Sequence, residues 1–151
     1  MNKVRVQHKA FCAAQEYQAV VDDGGANGAI VMFTGRVRAD GASNPVTALE
    51  LEHYPGMTEQ VLERLVLEAR ARWQITEVRL IHRVGKIAVG EDIVLVLVSS
   101  AHRQQAFSAA EFLMDKLKTT ATFWKKEHRL DGSSKWVEAK TSDDAAASRW
   151  D

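Results

Sequence analysis

The sequence predicts a mixed α+β fold, and three observations carry that prediction. Short segments with alternating or continuous apolar residues, bounded by Gly, Pro, Asn or Asp, behave as strands. Longer segments repeat apolar residues every three to four positions, as helices do. Their order, β-α-β-β-α-β-β-α-β-β, is not the regular alternation that builds a doubly wound parallel sheet.

Val4, Val6 and His8 alternate with polar neighbours and mark a first strand. Phe11–Asp22 reads as a helix closed by Asp23-Gly24-Gly25. Gly28–Arg38 begins as a continuous apolar run, the pattern of a strand buried on both faces, and ends with Arg36 and Arg38 on one face. Ala39–Pro45 is polar and glycine-containing, and reads as a mobile loop. Val46–Tyr54 is the next strand. Pro55-Gly56 opens a helix whose stripe runs Met57, Val61, Leu65 and Ala69, widened by Leu62, Val66 and Trp73.

Thr76–Val84 is a strand, and Gly85 and Gly90 bracket a turn. Glu91–Ser100 is the most hydrophobic strand and should be central. The third main helix is His102–Thr119, with Ala106, Phe107, Ala110, Leu113, Met114 and Leu117 inward. Thr122–Leu130 and Lys135–Ala139 pair as a hairpin around Asp131-Gly132. The tail from about residue 141 reads as a loose helix.

At 151 residues the chain fits one domain over 1–151, long enough to bury roughly two-thirds of its unfolded surface. Twenty basic side chains balance twenty acidic ones, which argues against a general nucleic-acid binder. No apolar run approaches the ~20 residues of a membrane span, and MNKVRVQHKAF lacks a signal-peptide core, so a cytoplasmic address is expected. Cys12 is alone: a small buried hydrophobe in the first helix, unable to form an intrachain disulfide or a thiolate-rich metal site. The five histidines lack HxxxH or HxH spacing, so no metal site is expected.

Against this neutral background, Ser99–Glu127 gathers His102, Arg103, Lys116, Lys118, Lys125 and Lys126. Local positive charge on a neutral chain points to a bound anion. Lys118 leaves the edge of a helix's apolar face. A lysine there, among other cations, has its charged form disfavoured and can serve as acid, base or nucleophile. The ordinary alternative is a snorkelling lysine with its head in water. Lys125 and Lys126 point to opposite faces of a strand, Lys125 with Phe123 and Lys126 with Trp124. A solvated basic edge is the plain reading of that pair. His102 and Arg103 stand at a helix N-terminus, where backbone N–H groups favour a phosphate or carboxylate, and Ser100 is a simple N-cap candidate. Arg36 and Arg38 can fork onto a phosphate. There is no GxGxxG, Walker pattern, catalytic triad or carboxylate pair. The residues alone reach a small-anion site and name no reaction. They leave Lys118 open between a reactive and a snorkelling lysine, the latter the more ordinary reading.

Several blocks carry a resemblance. FTGRVR (Phe33–Arg38), LEHYPGMTE (Leu51–Glu59), IHRVG (Ile81–Gly85), SSAHR (Ser99–Arg103), FLMDKLKT (Phe112–Thr119), FWKKE (Phe123–Glu127) and WVEA (Trp136–Ala139) resemble, in order, the catalytic, larger-subunit family of molybdopterin synthase, the MoaE family. The match runs from about Gly28 to Trp150, and the N-terminal strand and helix match only loosely.

The resemblance implies an α/β-hammerhead fold with mixed, largely antiparallel sheets, and a homodimer. It implies a small ubiquitin-like sulfur carrier ending in Gly-Gly, bound at each end of a heterotetramer. The carrier's thiocarboxylate donates sulfur to cyclic pyranopterin monophosphate. Two transfers build the dithiolene of molybdopterin, a sulfurtransferase reaction of molybdenum cofactor biosynthesis with no cofactor of its own. By the same resemblance Lys118 and Lys125 match essential lysines. Arg38, His102 and Arg103 match an anion pocket, the last two reaching across the dimer. Phe33 and Met114 match the carrier-tail tunnel, and Arg36, Val37, Lys126 and Glu127 match substrate-contacting segments. Lys140 stands where relatives can have Arg, keeping charge without bidentate geometry. His53 and His82 fall in matched blocks and read as structural.

Two competing functions share these residues. One is a non-catalytic module holding a pterin or phosphate, which would not need Lys118 and Lys125 intact. The other is a lysine-dependent enzyme that works without a protein partner.

Overall fold

One strand organises the chain. β6 (Asp92–Ser100) is buried at every position after Asp92 and is paired on both sides. It runs antiparallel to β4 (Val78–Arg83) and to β2 (Ala29–Arg36), and β1 (Asn2–Gln7) joins β4 in the sheet's one parallel pairing. The resulting order is β1-β4-β6-β2. The computed structural model describes residues 2–120, 122–138 and 141–151.

The unbroken apolar sequence of β6 has a direct cause: both faces of the sheet are covered. Val94, Val96 and Val98 pack into the main core with α2 (Met57–Arg72) and α3 (Arg103–Thr120). Leu95 and Leu97, on the other face, meet Ile81 and Val20 of α1 (Ala13–Val21).

A second sheet, β5-β3-β7-β8, is wholly antiparallel. Its strands are β3 (Val46–His53), β5 (Gly85–Ala88), β7 (Phe123–Arg129) and β8 (Ser134–Val137). Leu51 and Ile87 carry its inner face into the main core. The mixed α+β class and largely antiparallel sheets are as the sequence predicts.

Several details differ from expectation. The turn between Gly85 and Gly90 contains β5, four residues with one buried side chain, Ile87, too few for alternation to register. Phe107 and Met57 face outward at 60% and 45% exposure; the buried stripe of α2 runs instead through Thr58, Leu62, Leu65, Val66 and Ala69. Cys12 is an exposed helix N-cap and not a core residue. The 39–45 loop is pinned: Arg129 donates to Asp40 and to the Asn44 carbonyl, both at 2.9 Å, and the Leu130 N–H donates to the Pro45 carbonyl.

The tail forms a fourth helix, α4 (Thr141–Ser148), and it is anchored. Trp150 packs edge-on against Trp73 and Phe112, with centroids 5.4 and 5.7 Å away. Its indole N–H donates to Asp115 at 2.7 Å, and Arg149 bridges Asp115 and Glu111. Low hydropathy hid this segment, because a single aromatic residue provides most of its attachment. Trp150→Ala should therefore lower stability by about 2 kcal/mol in urea denaturation, less than a fully buried Trp would cost. The amides of α4 should exchange faster than those of α3.

Candidate functional site

Side chains from β2, β3, β4, β6, α3 and β7 converge on one cavity of about 170 Å³. Seven apolar side chains line it: Phe33, Leu49, Ile93, Val94, Met114, Leu117 and Phe123. Lys118 enters from the last turn of α3, one residue beyond buried Leu117. Lys125 enters from β7 on the same strand face as Phe123.

A second, more polar cavity of about 320 Å³ adjoins the first. The two share Arg36, Leu49, Lys118, Phe123 and Lys125, and the outer one adds Arg38, Asp40, Glu127 and Val137 among others. Both lysines thus stand where the smaller cavity opens into a larger one lined by more charged side chains. Such a junction suits a slim chain end entering from one side and an anion held on the other.

The charged groups are not equivalent. Arg36 is engaged by Asp92 at 3.1 Å and donates to the Gly90 carbonyl, so its guanidinium is partly committed. Arg38 is exposed and makes no ion pair among the described residues, which leaves it available to an anion. Asp40 and Glu127 both pair with Arg129, at 2.9 and 3.2 Å, which offsets their negative charge on the rim. Hydrogen bonding to Arg129 holds the Asp40 carboxyl below the usual carboxylate range. Backbone geometry matters at Gly35: a Cβ there would sit 2.6 Å from Cγ1 of Val94, another wall residue.

The MoaE protein family model matches residues 6–120. The chain belongs to the MoaE family. It is 52% identical over 148 residues to the molybdopterin synthase catalytic subunit of Mesorhizobium japonicum, covering 97% of this chain and 92% of that protein. It superposes on the molybdopterin biosynthesis MoaE protein from Burkholderia ambifaria with a TM-score of 0.82 at 45% identity, covering 99% of this chain and 98% of that one. A more distant structure shares the fold at 19% identity and a TM-score of 0.73, covering 91% of this chain and 90% of that one. It is a protein-protein complex of subunits 1 and 2 of molybdopterin-converting factor from Helicobacter pylori.

Within this MoaE-family chain the sequence-predicted residues separate into groups. Lys118, Lys125, Arg36, Phe33 and Met114 meet in the inner cavity; Arg38 and Glu127 line the outer one. Val37 contacts neither cavity: its side chain is buried and both its backbone groups bond to the Gly90-Glu91 segment. It fixes the orientation of the arginines on either side. Lys126 faces the other side of the sheet, with its Nζ 4.7 Å from the Trp136 ring centroid. Strand alternation puts it there, as it puts Lys125 inside. His102 and Arg103 line a separate surface depression with Phe107. Fifteen positions of one helix separate Arg103 from Lys118, about 22 Å along the axis, so these two cannot serve one site within one chain. Lys140 lies outside the described residues.

Among the polar side chains of the inner wall, sequence reasoning missed His82. Read as structural, it lines the inner cavity together with the two lysines and Phe123. Its ring stacks on Phe123 with centroids 4.0 Å apart. Burial, and secondarily the charges of Lys125, Lys118 and His53, pull its pKa from 6.5 to about 4, against the opposing bond to the Arg83 carbonyl. Its place in the IHRVG block, one residue from the strand's end, was the available signal.

The unfolded chain therefore takes up a proton near pH 6.5 that the folded chain refuses until about pH 4. Stability from this group is complete above pH 6.5 and is lost as pH falls toward 4. The urea midpoint should decline across that window, and His82→Gln should remove that part of the slope. Gly35→Ala should cost about 1–3 kcal/mol in the same assay, because its Cβ crowds Val94.

Proposed function

We propose that the two-lysine cavity is where this molybdopterin synthase catalytic subunit passes sulfur from a protein-borne thiocarboxylate to cyclic pyranopterin monophosphate. The observation that carries the reading is the junction itself. Lys118 and Lys125, from different elements, line both cavities where the smaller one opens into the larger, more highly charged one. The inner chamber, walled by Phe33, Met114 and Leu117, suits the slim Gly-Gly tail of a small carrier subunit. Arg38, with Lys125, holds the phosphate in the outer chamber.

In this arrangement the thiocarboxylate sulfur displaces an oxygen from a substrate carbon. Water then cleaves the carrier's acyl–sulfur bond, directly or through a transient acyl group on Lys118, so that the carrier leaves as a carboxylate and the sulfur stays on the substrate. Lys118 serves as acid, base or transient acyl acceptor. Lys125 polarises the substrate, and ammonium charge steadies the anionic sulfur as it attacks. No thiol of this chain is required, since the sulfur arrives on the partner, and Cys12 is remote in sequence from every wall residue. The reaction needs no resident cofactor. The chain works in the cytoplasm; among the described residues no helix is long and apolar enough to cross a membrane.

The reading includes a homodimer carrying one carrier at each end. The distance between Arg103 and Lys118 along α3 supports it, because His102 and Arg103 can then complete a second copy's anion pocket. The complex described for the Helicobacter pylori fold neighbour supports a small-subunit partner.

Reconstitution tests this directly. Purified chain, thiocarboxylated carrier and cyclic pyranopterin monophosphate should form molybdopterin, and Lys118→Ala should abolish it while carrier binding persists. Product without the carrier would favour the partner-independent enzyme; no product from a folded, carrier-bound wild type would leave the binding module. Separately, Lys118→Ala and Arg103→Ala chains, each inactive alone, should recover about a quarter of wild-type activity after mixing and reassociation. In mixed dimers one site escapes both substitutions. No recovery would remove the shared site.

A further inference from the structure

The inner cavity holds four polar side chains: Arg36, Lys118, Lys125 and His82. Three are cations that only donate hydrogen bonds, so His82 is the one side chain in the described wall able to accept. Its geometry specifies how. Nδ1 lies 2.8 Å from the Arg83 carbonyl oxygen, which cannot donate, so Nδ1 carries the proton. Nε2 is then left with a lone pair. It has no partner among the described residues. It is also absent from the sealed, unpaired atoms, which are Arg5 Nε, Glu59 Oε1, Arg79 Nε and Arg83 Nε, so it opens onto the cavity. The ring cannot swing away, being buried at 3% exposure and stacked on Phe123.

We propose that His82 is a positioning residue of the sulfur-transfer site, whose Nε2 lone pair, unpartnered here, accepts from a lysine ammonium of the Lys118–Lys125 pair as that side chain takes up its working orientation. Lys118 from α3 and Lys125 from β7 face it, with His53 on β3 nearby, and Arg36 closes the same chamber. An uncharged acceptor suits this place. A carboxylate would tie up both lysines as ion pairs, and a charged imidazole would repel them. This inference rests on the sulfur-transfer reading for its kinetic test and is independent of it for its spectroscopic one.

Three substitutions separate acceptor from packing. His82→Gln keeps an acceptor at the Nε2 position, His82→Asn keeps only the donor to Arg83, and His82→Phe keeps only the ring stack. With carrier binding and melting temperature measured for each, His82→Gln should retain most of kcat. His82→Asn and His82→Phe should lose about 10- to 100-fold in kcat with KM for cyclic pyranopterin monophosphate unchanged, as befits one lost bond to a charged group. A purely structural histidine gives the reverse order, Phe above Gln, and that result would overturn the proposal.

Nitrogen NMR of the wild-type chain at pH 7 provides a check needing neither substitution nor turnover. The His82 ring should show a protonated Nδ1 and an unprotonated Nε2. An Nε2–H tautomer or an imidazolium would rule the acceptor out, whatever the activity assay reports.

Discussion

The structure depends on the double burial of β6. Because that strand is paired on both edges and covered on both faces, its backbone is committed on both sides, and from Val94 to Val98 its side chains pack alternately into the two cores. This fixes β2 and β4 as its neighbours, and with them the positions of Phe33, Gly35, Arg36 and His82. Ile93 and Val94, at the start of the same strand, become cavity wall. The site is thus the end of the core, where apolar packing gives way to charge.

A rigid wall matters for the chemistry such a cavity has to perform. Lysine ammonium groups on four-carbon stems are mobile and strongly hydrated, and each costs conformational entropy to hold. Here one lysine rises from the final turn of a helix and the other from a strand paired on both sides. Leu117, Met114 and Phe123 line the same cavity and offer an apolar surface beside both stems. Of the four acids that line the outer cavity, Asp40, Glu127, Glu138 and Asp143, the first two are paired with Arg129. The same arginine anchors the 39–45 loop, so rim electrostatics and loop position are one arrangement.

The separation of His102 and Arg103 from the lysines shows how far a motif can mislead about location. Sequence places all four in one cationic stretch, and a helix then spreads that stretch along its length. Rise per residue converts fifteen positions into about 22 Å, more than any side chain spans. Lys125 and Lys126 show the same point at short range: adjacent in sequence, they end on opposite faces of a sheet.

What the sequence determined by itself was local and periodic. Strand alternation and helical stripes located the seven expected strands and three main helices, and assigned Lys125 and Lys126 to opposite faces. The block resemblance identified the family and singled out Lys118 and Lys125, which the fold brings to one cavity. Tertiary structure alone decided what depends on contacts between distant elements. It recruited Ile87 into a fourth strand of the second sheet, pinned the 39–45 loop through Arg129, and turned a polar tail into a docked helix through one tryptophan. It also moved His82 from core to cavity wall. A buried histidine and a cavity-lining one look alike in a strand's sequence; only the void beside the ring, made by side chains from five other elements, tells them apart.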